Sequence, residues 1–242
     1  MNSEFIIEEF HTMKIGIIGC GKVGGTLGKR WARKGHDVIF GSRHPDSEDM
    51  RELQREAGPH SCTVSIKEAA AVGDVVVLAV PWSEAQNAIK EAANLEGRIV
   101  IDVMNPFKQG AHGLPVGMEV DADTSAAELV AKWAPNARIV KAFNHMSFLV
   151  MDDPDFEGRP ATAFIAGDHA EAKQVVSQLA SDLGLEPFDV GPLHMARYIE
   201  AFAMLYIDMV YVQGHDPHFA FSVITRKAPA KTKPEPVMAG AK

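Results

Sequence analysis

From Met13 onward the chain alternates short apolar runs with longer stretches whose apolar residues recur at helical spacing. "KIGIIG" (14–19), "DVVVLAVP" (74–81), "RIVIDVMNP" (98–106) and "RIVKAFN" (138–144) are nearly continuous in apolar character, as strands covered on both faces are. "DVIFGS" (37–42) and "CTVSI" (62–66) complete six predicted strands. Between them the pattern predicts helices over 22–35 and 47–58, ended by Gly35 and Gly58, and over 83–95 and 125–134, the former capped by Ser83. A glycine-rich loop is expected over 108–124. After residue 148 the pattern changes to a strand (161–167), a helix (170–184), a strand (186–191) and an apolar helix near 195–214. In that last helix Phe202, Leu205, Met209 and Val212 fall near one face, and Met204, Ile207 and Tyr211 form another. One face is expected to pack on the body and the other on a second copy, giving a homodimer.

Alternating helices and apolar strands predict an α/β fold, a Rossmann-type doubly wound parallel sheet of order 3-2-1-4-5-6 with a small C-terminal α/β appendage. The 242 residues then divide into an N-terminal extension (1–12), a sheet domain (13–148), a small domain (149–225) and a basic tail (226–242) expected to be disordered. The formal net charge is -8, and the tail carries five bases against one acid, which leaves the rest strongly acidic. That body argues against a nucleic-acid partner. The apolar run 198–214 is broken by Glu200 and Asp208, so a buried helix is expected there and no membrane span. "MNSEFIIEEFHT" is acidic where a secretion signal would be basic, so a cytoplasmic setting with Cys20 and Cys62 as free thiols is expected.

Charge and composition leave the chemistry open; the loop after the first strand narrows it. Gly19, Gly21 and Gly24 form G-x-G-x-x-G directly after a predicted strand and at the opening of a predicted helix. Gly19 allows the tight turn, and Gly21 lets the backbone approach a pyrophosphate lying on the helix N-terminus beside Lys22 and Val23. Gly24 lets the helix pack closely on the strand. Where such proteins usually place an acid to hold ribose hydroxyls, this chain has Ser42, Arg43 and His44. A guanidinium there can bind a 2′-phosphate through two parallel hydrogen bonds, so the expected cofactor is NADP. Beyond the carboxyl ends of the strands the same edge should collect Val80, Pro81, Asn105 and Asn144, the two amides toward the nicotinamide end. Trp82, Phe107 and Met146 should supply an apolar lining.

"GCGKVGGTLG", "GHDVIFGSR", "DVVVLAVP", "VIDVMNPF", "RIVKAFN" and "GPLHMARYIE" together resemble the NADPH-dependent reductases of the 8-hydroxy-5-deazaflavin coenzyme F420. The same module is similar to the cytosolic domain of the six-transmembrane metalloreductases. The resemblance covers residues 13 to about 214. It implies NADP on the glycine loop and on Ser42 and Arg43, with a flavin-type small-molecule acceptor, the deazaflavin or FMN/FAD, stacked on the nicotinamide for direct hydride transfer. Proximity and orientation do most of the work in such a transfer. The deazaflavin reductases carry a histidine near the end of strand six, where this chain has Asn144 followed by His145, a form nearer to the metalloreductases. Asn105, Asn144, His145 and Arg197 are the acceptor-pocket candidates, none of them assigned as catalytic. The deazaflavin's anionic tail would need a basic rim, for which the chain offers Lys108, His112 and Arg197. An ion pair of Arg197 with Glu200 is an equal expectation.

The remaining constellations read as structural. His215, Asp216 and His218 read as a surface loop and Cys20 as a small packing residue; no metal is expected. Lys141 lies inside a strand, unlike the catalytic lysine of dehydrogenases with a large all-helical second domain. The lack of room for that domain argues against pyrroline-carboxylate reductase and hydroxyacid dehydrogenase readings. Two function classes stand: a reductase of a flavin-type acceptor, including a flavin-mediated ferric or cupric reductase, and a non-catalytic NADP-binding redox sensor.

Overall fold

The computed structural model describes residues 12–110 and 113–226. The expected N-terminal extension (save Thr12), His112 and the basic tail beyond Arg226 lie outside those residues.

Eight strands form one sheet in the order β3-β2-β1-β4-β5-β8-β9-β10. β1 (Lys14–Ile18), β2 (Asp37–Ser42), β3 (Ser61–Ser65), β4 (Val75–Leu78), β5 (Ile99–Asp102) and β8 (Arg138–Lys141) are mutually parallel and realise the expected 3-2-1-4-5-6 order. The sheet then continues. β9 (Thr162–Gly167) pairs antiparallel with β8, and β10 (Glu186–Gly191) pairs parallel with β9. Helices cover both faces. One core layer holds Ile15, Ile17, Trp31, Phe40 and Leu179 under α1 (Lys22–Arg33) and α7 (Ala170–Asp182). The other holds Ile18, Val76, Leu78, Ile89 and Val130 under α4 (Ala85–Ala92) and α5 (Ala126–Trp133).

Three strands stop short of their apolar runs. Val103, Met104, Ala142 and Phe143 leave the sheet at its carboxyl edge yet remain buried, so hydrophobicity does not mark the strand end. Ile66, expected in a strand, instead opens α3 (Ile66–Val72). Ser65 and Glu68 form a capping box there, with the Ser65 hydroxyl accepting from the Glu68 N–H and the Glu68 carboxylate accepting from the Ser65 N–H. The expected loop 108–124 contains an antiparallel hairpin, β6 (Phe107–Gln109) and β7 (Pro115–Met118). A short α6 (Phe148–Asp152), capped by Ser147, follows β8.

α8 (Ala196–Ile207), extended by a π-helical turn over Asp208–Val212, buries a different face from the one expected. Ala196, Ile199, Glu200, Ala203 and Tyr206 point inward, whereas Leu205, Tyr211 and Val212 are exposed. Apolar residues surround this helix, so spacing alone could not choose the face. Small alanines and the partner of Glu200 choose it.

Candidate active site

The glycine loop turns at Gly19, whose φ of +99° suits glycine and whose added Cβ would lie 2.5 Å from the Ala79 carbonyl carbon. A Cβ on Gly24 would lie 2.0 Å from the Gly19 carbonyl oxygen, so only glycine lets α1 sit this close to β1. Gly21 differs: it is exposed, and its Cβ would meet nothing within 4 Å. Gly21 caps α1 with no side-chain hydrogen bond, and the first turn carries no acid. The free N–H groups and the positive end of the helix dipole therefore face open space beside Lys22 and Val23, the arrangement an anion requires.

β2 delivers the next group. The Ser42 hydroxyl accepts from the His44 N–H at 3.0 Å, which shapes the turn that carries Arg43 outward. The Arg43 side chain is 68% exposed, and its Nη1 lies 3.8 Å from Glu84 Oε2, across the β4–α4 connection. Such a loose, solvated pair leaves the guanidinium able to take a better anion.

A cleft of about 560 Å³ runs from the glycine loop to the ends of β4 and β5, with Arg43 outside its walls. Its walls include Lys22, Val23, Val80, Pro81, Trp82, Asn105 and Phe107. Trp82 is braced by stacking on Trp133, with ring centroids 5.3 Å apart. The hairpin contributes Gln109 and Glu119, which sequence reasoning missed because two short strands in a glycine-rich stretch leave no periodic signal.

Asn105 and Asn144 meet. Asn144 Nδ2 donates to Asn105 Oδ1 at 2.8 Å, and Asn105 Nδ2 donates to the Asn144 carbonyl at 2.8 Å, which ties the ends of β5 and β8 together. Asn105 lines the cleft; Asn144 is buried behind it, with its Oδ1 lacking a protein partner. The preceding residue, Phe143, is buried at φ +63°, a conformation a bulky residue holds only where its surroundings enforce it.

Beneath the asparagines lies a charge cluster, each member at most 1% exposed. Lys141 Nζ donates to Asp102 Oδ2 at 3.0 Å and to the Met104 carbonyl at 2.5 Å, and it lies 2.8 Å from Glu200 Oε1. Asp102 Oδ1 accepts from the Met104 N–H, and Glu200 accepts from the Ala126 and Ala127 N–H groups at the start of α5. Burial alone would lower the Lys141 pKa, but the two carboxylates outweigh it and hold the pKa above its ordinary value. Lys141 is a structural cation.

Other expectations change. His145 turns into the core: Nε2 bonds the Thr162 carbonyl at 2.9 Å, the ring stacks on Phe164, and burial pulls its pKa down to about 4. Met146 is likewise in the core and lines no part of the cleft. Both lie past the turn at Phe143, which redirects the chain inward. Arg197 pairs with Glu128 through two bonds of 2.8 and 2.6 Å, since Glu200 is taken by Lys141. Lys108 is exposed but does not line the cleft. Burial pushes the Cys20 thiol up to about 12, so within the glycine loop it stays protonated and unreactive near neutral pH. His218 Nδ1 lies 2.7 Å from Asp216 in an exposed loop. No helix among the described residues is long and apolar enough to cross a membrane.

Residues 14–106 match the family model described as NADP oxidoreductase, coenzyme F420-dependent. The chain is 30% identical over 207 residues to the F420-dependent NADP reductase of Methanocaldococcus jannaschii, covering 81% of this chain and 92% of that protein. It is 31% identical over 191 residues to the rat metalloreductase STEAP3, of whose length the match spans only 36%. Among solved structures it resembles one from Arthrobacter sp. FB24, described as a candidate F420-dependent NADP-reductase. That match has a TM-score of 0.79 and 29% identity, covering 88% of this chain and all of the other.

Proposed function

The chain belongs to the F420-dependent NADP reductase family and is an NADP-dependent oxidoreductase, and from that premise we propose that it passes a hydride between NADP(H) and a flavin-type ring in the cleft. The nicotinamide supplies the hydride; the chain's own residues bind, orient and exclude water. The N–H groups at Gly21, Lys22 and Val23 take the pyrophosphate, with Gly19 and Gly24 shaping the loop. Ser42, Arg43 and His44 take the 2′-phosphate. Val80, Pro81 and Asn105 hold the nicotinamide end, with Asn144 fixing the Asn105 amide. Trp82 and Phe107 form the apolar wall that keeps water from the transfer. Residues 149–225 act as the unit that completes the acceptor side and carries the dimer contact through the exposed face of α8.

The observation that carries this reading is the uncapped α1 N-terminus, with Lys22 and Val23 in the wall of a 560 Å³ cleft also lined by Trp82 and Phe107, and the exposed Arg43 just past the end of β2. The acceptor is the 8-hydroxy-5-deazaflavin or FMN/FAD. Asn144, where the deazaflavin reductases are expected to carry histidine, and the likeness to STEAP3 favour flavin-mediated reduction of a ferric or cupric chelate as the second reading. NADPH oxidation followed against the deazaflavin, FMN, FAD and riboflavin, each with and without ferric chelate, tests both. Turnover with a ring alone supports the first, and turnover requiring flavin plus chelate supports the second. NADPH binding without any turnover leaves only a sensor.

A further inference from the structure

The hairpin β6–β7 decides what the acceptor end of the cleft can recognise. Side chains alternate along a strand, and here Phe107 and Gln109 line the cleft while Lys108 between them does not. Glu119, anchored by its N–H to the Pro106 carbonyl at 2.7 Å, lines the cleft from the other side of the hairpin. The polar groups here are therefore two amides, Asn105 and Gln109, and one carboxylate. Lys22, the single cation among the described lining residues, is on the first turn of α1, with its ammonium 5.3 Å from the Phe148 ring centroid. Arg197 is held by both oxygens of Glu128.

A carboxylate accepts hydrogen bonds and repels anions, and a primary amide both donates and accepts. We infer that Gln109 and Glu119 recognise the acceptor by an N–H-bearing, amide-like edge of its ring, of the pyrimidinedione type, and that its anionic side chain adds nothing to recognition. The inference rests on the hydride-transfer reading and narrows it. Glu119 accepts from the ring N–H; Gln109 donates to a neighbouring ring carbonyl. Any phosphate or carboxylate on the side chain then points out of the cleft, past Lys108, into solvent.

The test compares riboflavin, FMN and N3-methylriboflavin as acceptors of NADPH electrons in the full chain, with NADPH dissociation constants measured separately by its fluorescence. Riboflavin and FMN should differ by less than about threefold in kcat/KM, because the phosphate is not read. N3-methylation should cost about tenfold or more, the size of one lost hydrogen bond to a charged group. Glu119→Gln should cost riboflavin a similar factor and leave the methylated ring and the NADPH dissociation constant within twofold. Gln109→Leu should cost riboflavin a similar factor and the methylated ring as well, because methylation leaves the carbonyl that Gln109 donates to, with the NADPH dissociation constant again within twofold. A preference of more than tenfold for FMN, or equal rates for the methylated ring, overturns the inference while leaving hydride transfer standing. An equal loss in NADPH affinity assigns the two residues to the nicotinamide and overturns it as well. Tight NADPH binding with no turnover on any ring overturns the hydride-transfer reading, and this one with it.

Discussion

Replacing Lys141 by methionine should reveal how much of the fold hangs on the buried charge cluster. Methionine keeps an unbranched, flexible apolar chain but removes three donors, at 3.0 Å from Asp102, 2.5 Å from the Met104 carbonyl and 2.8 Å from Glu200. Two carboxylates, 0% and 1% exposed, then lose their counter-ion. Removing one partner of a buried pair typically costs about 3–5 kcal/mol, because an uncompensated charge stays in the interior. For a chain this size, 1 kcal/mol shifts Tm by about 2–4 °C, so Lys141→Met should melt roughly 6–20 °C lower. Pairing it with Glu200→Gln removes one of the stranded charges, so the double variant should lose less than the sum of the singles. Because the pKa of Lys141 is raised in the fold, its contribution is complete below the unfolded lysine's value and is lost only as pH rises through the higher folded one. Lys141 is therefore charged at both pH 6 and pH 8. Burial already holds the Glu200 carboxyl above its ordinary value and losing Lys141 raises it further, so the deficit should be smaller at pH 6 than at pH 8. Denaturant melts of the four proteins decide the matter. A loss under about 1 kcal/mol, or strict additivity, would refute the cluster as a structural keystone.

Arg43→Asp should weaken NADPH binding by about 1.5–3 kcal/mol and leave NADH within a small factor, as paired titrations would show; equal losses would mean that Arg43 supports the loop and does not read the phosphate. His145 is held neutral, with a pKa of about 4, so between pH 6.5 and 4 the unfolded chain binds a proton that the folded chain does not. Stability should fall by about 3 kcal/mol as pH drops through that window, and His145→Gln should lose most of the slope in urea midpoints measured from pH 7 to 4. The exposed Tyr198, Leu205, Tyr211 and Val212 on α8 and its extension should form a two-fold contact. Light scattering should give a dimer at micromolar concentration that Leu205→Glu disrupts, and a monomer in the parent chain would remove the idea.

The sheet's central order and its glycine loop were legible because their signals are local: apolar runs that end in turns, and glycines spaced for a strand–helix junction. The antiparallel joining of β9 to β8 was not, since pairing direction is set by partners distant in sequence. Lys141 and Glu200 read as a lone strand lysine and a helix-surface acid because nothing local reveals that they meet with Asp102. His145 had the chemistry of a site residue, but the left-handed turn at Phe143 sends it into the core, and no sequence rule marks that turn. The capping box of α3 was readable as "SIKE" and was obscured by the β-branched residues before it. Gln109 and Glu119 reach the cleft only because a hairpin forms in a segment whose glycines and proline suggest a loop.

Direct hydride transfer within the cleft is the central claim, and isotope transfer tests it most directly. NADPH deuterated at nicotinamide C4, on each face in turn, should be oxidised in the presence of the 8-hydroxy-5-deazaflavin, whose reduced C5–H does not exchange readily with water. One of the two labels should appear at C5 of the product with a primary isotope effect, and the other should remain on NADP. Recovery of solvent hydrogen at C5 from both labelled cofactors, or reduction with no isotope effect and no label transferred, would contradict the account.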